Sequence, residues 1–309
     1  MPVRYLKNNE INFSRWDRCM KNSINGSVYG YSWYLNAVAG QWDALMENDY
    51  ETVMPLTFSV RYGKYILYQP IFTYYLGIFS TKITDSNLVS RFLEQLSQRF
   101  SYSDMVLNKF NKLDSIPFKV SLKPSYELDL IPGYEKLKGK FLPDTQHNIK
   151  LANDNKIQII PNINPKSFLQ FYLTVHPFMD ENRLNILQVI INTGLKYKMA
   201  DIYGAYNKEK KLIAACFFIW SHKKVILLMQ AVTREGYRSG SIYLLIDQFI
   251  RNQCEKNITL SFESSTHSVD IEIFKDYAAQ ACNHAILKMN DLPWYVDFLK
   301  LINYDKYIR

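Results

Sequence analysis

Long apolar runs are missing from this sequence. The longest, Leu212 to Trp220, is nine residues, about half of the ~20 that a membrane-crossing helix needs. The opening stretch, Met1 to Lys7, has no apolar core of the kind a secretory signal carries. The expectation is a soluble, cytoplasmic chain with no membrane insertion. Cysteine is scarce as well: Cys19, Cys216, Cys254 and Cys282 lie far apart with no CxxC spacing, a usage that fits a reducing compartment. The five histidines (His147, His176, His222, His267, His284) show no metal-ligand spacing, so no metal is expected. No low-complexity tract interrupts the chain, and no nucleophile elbow is present. Ser264, Ser265, His267 and Asp270 are close in sequence, but a catalytic triad is assembled from separate elements, and a polar loop is the preferred reading.

What remains is a 309-residue chain, long enough for two domains and a core that needs neither disulfides nor metal. Apolar residues at 48% and charged residues at 21% place it among globular proteins rather than disordered or fibrous ones. Lys and Arg number 37 against 29 Asp and Glu, a formal charge of +8, which makes an anionic partner such as nucleic acid or a phosphorylated cofactor plausible without identifying it. Aromatic side chains are abundant, with 23 Tyr, 18 Phe and 5 Trp.

The clearest boundary signal is Ile131-Pro132-Gly133, a turn after the alternating strand-like run Tyr126 to Leu130. It divides the chain into residues 1–132 and 133–309. The two halves repeat a pattern. The strand Thr52 to Phe58, a basic turn ending at Lys64 and the strand Tyr65 to Ile71 correspond to Leu212 to Trp220, a basic turn ending at Lys224 and Val225 to Val232. Gln69 corresponds to Gln230 at an offset of 161. Each hairpin is followed by a 3.6-period amphipathic segment (Leu88 to Phe100; Ile242 to Asn252) and a short strand (Met105 to Leu107; Ile258 to Leu260). Matched order and near-constant offset favour an internal duplication. The second half adds helices: Asn164-Pro165 has the form of an N-cap followed by proline at the first helical position, and a second helix is expected to stop near Gly194.

Delivery of an acyl group from a phosphopantetheine carrier asks for a splayed strand whose free backbone N–H groups grip the carrier, and a helix N-terminus that faces its pyrophosphate. Val225 to Val232, the segment Thr233 to Ser241 and the helix that follows have that strand–loop–helix form. Gln230 and Val232 on the strand, and Arg234, Gly236, Arg238, Ser239, Gly240 and Ser241 after it, are the candidate donor contacts. The glycines would admit a phosphate to the backbone, and the arginines would pair with its charge. An ordinary glycine-bearing loop is the competing reading.

Several motifs carry a family resemblance: Ser32-Trp33-Tyr34-Leu35 with Trp42-Asp43-Ala44-Leu45, Val53-Met54-Pro55-Leu56, Tyr68-Gln69-Pro70 through Ser80, Thr145 to Ala152, Gly204-Ala205-Tyr206, Leu244-Leu245-Ile246-Asp247 and Phe262-Glu263-Ser264-Ser265. Through them the chain resembles tandem GNAT (acyl-coenzyme A N-acyltransferase) proteins of the Bacteroidetes acetyltransferase-like type, related to the FemABX peptidyltransferases. The resemblance implies an α+β fold of two tandem GNAT-like domains, each a mostly antiparallel sheet flanked by helices, with the donor site in the second. It implies an acyl-CoA co-substrate and an amine acceptor, a small molecule or a peptide. In that reading Glu263 takes the amine proton and Tyr277 protonates the leaving thiolate. The alternatives are a FemABX-like transferase using aminoacyl-tRNA and a non-catalytic binding protein on a degenerate GNAT fold. Departures from the family pattern bear on all three: Gln146-His147 stands where relatives carry an arginine pair, Arg238-Ser239-Gly240-Ser241 is a shortened loop, Ser264 replaces a glycine, and Phe274 is followed by Lys275 rather than tyrosine. The spaced lysines from Lys136 to Lys156 are a possible tRNA contact or a solvated face.

Overall fold

The computed structural model describes residues 2–61, 63–113, 119–263 and 273–291. The chain forms two compact units: residues 1–123 together with 283–309, and residues 124–282. The boundary expected after Pro132 therefore meets a division that is discontinuous in sequence, with residues 283–291 counted in the first unit. Among the described residues no helix is long and apolar enough to cross a membrane.

The first unit begins with β1 (Arg4–Leu6), α1 (Phe13–Asn22), α2 (Ser32–Ala39), β2 (Asp43–Glu47) and β3 (Thr52–Leu56). It continues with β4 (Phe58–Arg61), β5 (Lys64–Tyr68), β6 (Phe79–Ser80), α3 (Ser86–Ser97) and β7 (Tyr102–Val106). β8 (Lys119–Asp129) follows, and its residues 124–129 belong to the second unit. There the chain runs through α4 (Tyr134–Lys138), α5 (Pro143–Asp154), β9 (Gln158–Pro161), α6 (Pro165–Val175) and α7 (Glu181–Lys196). It then forms β10 (Ala200–Tyr206), β11 (Leu212–Ser221), β12 (Lys224–Val232), α8 (Arg234–Arg238), α9 (Ser241–Gln253) and β13 (Thr259–Phe262). The last described strand is β14 (Gln280–Asn290).

The pairing pattern is the same in both units. In the first, β4 pairs antiparallel with β5, β5 pairs parallel with β7 after the chain crosses over through α3, and β7 pairs antiparallel with β14. In the second, β11 pairs antiparallel with β12, β12 parallel with β13 after α8 and α9, and β13 antiparallel with β8. β10 and β9 extend that sheet beyond β11, both antiparallel. The first unit has in addition a small antiparallel sheet in the order β1-β2-β3-β6.

Alternation along β11 decides how the second unit packs. Phe218 stacks on Phe249 of α9 with ring centroids 3.8 Å apart, while its neighbour Phe217 faces the other way, 6.3 Å from Phe168 of α6. One face of the sheet thus carries α9 and α5, whose buried Leu245, Phe249, Ile149 and Ala152 share a core with Val225, Leu227 and Leu260. Local signals place the helix ends. The Asn164 side chain accepts from the Lys166 N–H, with Pro165 at the first helical position. α7 ends at Lys196, two residues beyond Gly194. Glycine is used there because a Cβ would lie 2.9 Å from the Ala200 side chain, so the residue permits close packing rather than ending the helix.

Candidate acyl-transfer site

The parallel crossover of the second unit opens. β12 is paired with β13 only through Lys224, Val225 and Ile226. β13 runs on to Phe262 against β8, whereas β12 continues to Val232 against β11. Leu228 is an extra residue in that second ladder, between the pairs Phe218–Leu227 and Phe217–Met229. Such a bulge bends and twists the strand that carries it. From Leu227 to Val232 the β13-facing edge of β12 has no strand partner among the described residues. This is the splayed strand that the sequence pattern led us to expect.

At the root of the gap the sheet carries a charged cluster. Lys224 Nζ lies 2.8 Å from Glu127 Oε1 and 3.3 Å from Glu263 Oε1. Ser261 Oγ donates to Glu263 Oε1 at 2.8 Å. The Glu263 side chain is fully buried, yet its Oε2 has no hydrogen-bond partner among the described residues. A buried carboxylate is tolerable only when paired; here one oxygen is held and the other is left to accept. Glu263 directly follows β13, and the last parallel pair is Ile226–Ser261, so the carboxylate stands where the strands part. Neither Glu127 nor Lys224 was singled out as a site residue from the sequence. The available signal was a charge at a strand position between the apolar residues Tyr126 and Leu128.

Gln230 sits four positions beyond the last β12–β13 pair and opposite Cys216 of β11. Cross-strand partners share a face, so Gln230 lies on the face that packs against α9. Both its Oε1 and its Nε2 are buried without a hydrogen-bond partner among the described residues. Val232, next on the same face, is buried in the core.

The segment after the strand is differently employed from what its composition suggested. Residues 234–238 form α8, capped by the Thr233 side chain, which accepts from the Gly236 N–H at 3.0 Å. A Cβ on Gly236 would lie 2.4 Å from the Ile213 carbonyl oxygen, so its missing side chain admits the protein's own β11. Gly240 adopts φ +71, the left-handed region glycine favours, and a Cβ there would lie 2.3 Å from the Asn148 carbonyl oxygen of α5. Ser241 is buried and its hydroxyl donates to the Gly236 carbonyl at 2.9 Å. Ser239 donates to the same carbonyl at 3.3 Å. Arg234 and Arg238 are exposed. Both glycines thus have a packing role inside the protein.

Tyr277 is fully buried among Phe141, Tyr243 and Phe262. Its hydroxyl donates to the Tyr243 carbonyl of α9 at 2.6 Å, and burial holds the phenol well above its ordinary pKa. That proton is committed to the backbone, and the arrangement fits a packing role better than proton delivery. On α4, α5 and the turns that follow each of them, Lys136, Lys140, Lys150 and Lys156 are exposed, as are Gln146 and His147. Ser264, Ser265, His267 and Asp270 lie outside the described residues. Among the described residues no group of three His, Cys, Asp or Glu side chains is arranged to hold a metal ion.

No protein-family profile matches the chain, and no curated protein is similar to it in sequence. Similarity appears in the fold. FemX matches with a TM-score of 0.65 over 98% of this chain and 99% of its own, at 9% identity. The C-terminal domain of an Agrobacterium fabrum protein named as a lysylphosphatidylglycerol synthetase matches at 0.57, covering 95% of each chain, at 9% identity. A GNAT-family acetyltransferase from Colwellia psychrerythraea matches at 0.51 over 93% of this chain and 100% of its own, at 13% identity. The chain has the tandem GNAT/FemABX-like fold.

Proposed function

We propose that this protein is an N-acyltransferase in which the donor lies in the gap between β12 and β13 and the acceptor is an amine. The observation that carries the reading is the early end of the parallel pairing at Ile226, which leaves the β12 edge from Leu227 to Val232 unpaired among the described residues. Exposed strand N–H groups at that edge are the donors that would hold an acyl carrier and polarise its carbonyl. Glu263, with Oε1 held by Lys224 and Ser261 and Oε2 free, is the group suited to take the proton of the attacking amine. In the transfer, the amine nitrogen forms a bond to the acyl carbon, the carrier leaves with the electron pair of the bond that breaks, and the amine proton passes to the carboxylate.

Two carriers fit this chemistry. Acyl-coenzyme A is the first, in line with the GNAT acetyltransferase likeness. An aminoacyl-tRNA is the second. It is in line with the likeness to FemX. The test is binding followed by turnover. A thermal shift with acetyl-CoA, together with acyl transfer that falls at least ~100-fold in Glu263→Gln, supports the first carrier. Retention on aminoacyl-tRNA that weakens steeply with salt supports the second. Failure to bind either carrier overturns the reading and leaves a binding protein on this fold.

A further inference from the structure

The two halves each place a glutamine at the end of the hairpin strand that enters the parallel crossover, and the two side chains have different fates. In the first unit β5 stays paired with β7 up to Tyr68, and Gln69 follows at once. Its Oε1 accepts the Val106 N–H of β7 at 3.1 Å, and its Nε2 donates to the Thr73 carbonyl at 3.1 Å. The chain then returns along β7: the Leu76 N–H donates to the Val106 carbonyl at 2.8 Å, and the Asn108 N–H donates to the Leu76 carbonyl at 2.8 Å. The first crossover is thus closed by its own backbone, and Gln69 joins two main-chain amide groups. In the second unit β12 has already left β13, and the Gln230 carboxamide is buried with neither its donor nor its acceptor satisfied among the described residues. A buried carboxamide with no partner is costly, and native structures seldom carry one without a reason.

We infer that Gln230 is a specificity-determining residue that recognises an amide of the ligand entering this gap. Its Oε1 takes an N–H and its Nε2 gives to a C=O, as Gln69 does for residues 106 and 73. The inference rests on the proposed acyl-transfer reading and narrows its substrate class to an extended chain with secondary amides. Two sources supply that chemistry: the pantetheine arm of a coenzyme A donor, or the backbone of a peptide acceptor. A thioester or amine without an amide leaves Gln230 unpaired and binds more weakly.

The test compares the full-length wild type with Gln230→Leu and Gln230→Met by isothermal titration. The probes are acetyl-CoA, acetyl-pantetheine, N-acetyl-trialanine amide and the amide-free thioester S-ethyl thioacetate. The expected result is at least ~10-fold weaker binding of an amide-bearing probe by both variants, with the amide-free thioester unaffected. Loss confined to acetyl-pantetheine and acetyl-CoA assigns the amide to the donor, and loss confined to the peptide assigns it to the acceptor. Undiminished affinity of both variants for every amide-bearing probe that the wild type binds overturns this inference while the acyl-transfer reading stands. A wild type that binds no amide-bearing probe overturns the inference as well, and if it also fails to bind aminoacyl-tRNA the transfer reading falls with it. Gln230→Met, an unbranched side chain of similar length, keeps the test available should the leucine variant fold poorly.

Discussion

Both units thread a helix between two parallel strands, and the results differ by a few hydrogen bonds. In the first, three parallel pairs from Ile66 to Tyr68 are extended by Gln69 and by the returning segment at Leu76. In the second, three pairs from Lys224 to Ile226 are followed by a bulge at Leu228 and an unpaired edge. Three buried side chains beside the two crossovers show the same contrast. Asn111 in the closed unit is fully used, its Oδ1 accepting the Ile78 N–H at 2.8 Å and its Nδ2 donating to the Ile78 carbonyl at 3.0 Å. In the open unit Glu263 and Gln230 have atoms left over. One copy of the topology has filled its gap with its own chain, and in the other the β12 edge beyond Ile226 has no strand partner among the described residues.

The contrast breaks most severely at glycines that sit against backbone or against a spent side chain. Gly77 has φ +106, and a Cβ on it would lie 2.3 Å from Asn111 Oδ1, so Gly77→Ala both strains the backbone and displaces the amide that holds Ile78. Gly236→Ala meets the Ile213 carbonyl oxygen at 2.4 Å, which cannot swing aside. Each substitution should cost about 3 kcal/mol or more in urea denaturation. A loss under about 1 kcal/mol at Gly236 would mean that α8 can pull away from β11, and the loop would then be free to meet a phosphate after all. The glutamines provide the next test, in which the two units should respond with opposite signs. Gln69→Leu strands the Val106 N–H and the Thr73 carbonyl and should cost about 1–3 kcal/mol. Gln230→Leu removes an amide that has no partner and should leave stability unchanged or raise it by up to about 1 kcal/mol. Equal losses at both positions would show Gln230 to be satisfied in solution and remove the contrast.

Much of this layout is legible in the sequence because local periodicity and turn chemistry express it directly. The order of hairpin, helix and strand in each half follows from alternating and 3.6-period apolar patterns, and the Gln69–Gln230 correspondence comes from spacing alone. What stayed hidden depends on tertiary register. Nothing local distinguishes Gln69, which meets Val106, from Gln230, whose carboxamide has no hydrogen-bond partner among the described residues, since the difference arises from where two distant strands stop pairing. The same holds for Gly236 and Gly240, whose packing on Ile213 and Asn148 no local feature announces. Lys224 appeared only as part of a basic turn; its role between Glu127 and Glu263 requires β8, β12 and β13 to be neighbours.

Tyr277 tests the open unit on a smaller scale. If its hydroxyl serves only the Tyr243 carbonyl, Tyr277→Phe should cost about 1 kcal/mol in stability and leave the pH–rate profile of acyl transfer unchanged. A profile that loses its alkaline limb in the variant would instead return Tyr277 to the chemistry, as the proton donor to the leaving group.

The smallest expected effect separates the two crossover helices by pH. The buried side chains of α3 are all apolar: Val89, Phe92, Leu93 and Leu96. α9 buries Asp247 as well, with a side chain 2% exposed, accepting from the Tyr134 hydroxyl at 2.8 Å and lying 3.8 Å from Arg251. Burial outweighs those favourable partners and raises the carboxyl above its ordinary pKa. The folded state therefore keeps the Asp247 proton to a higher pH than the unfolded chain does. As pH rises from the unfolded aspartate value of about 4 through the raised native value, the unfolded state releases this proton first, and stability falls across that window. Asp247→Asn retains an acceptor for Tyr134 and removes the titration. The stability of the wild type relative to this variant should thus decline as pH is raised from about 4 and level off once the native carboxyl has ionised. Urea midpoints at a series of pH values measure the difference directly. Parallel curves for the two proteins would mean that Tyr134 and Arg251 together compensate the burial, and α9 would then be as indifferent to pH in this range as α3.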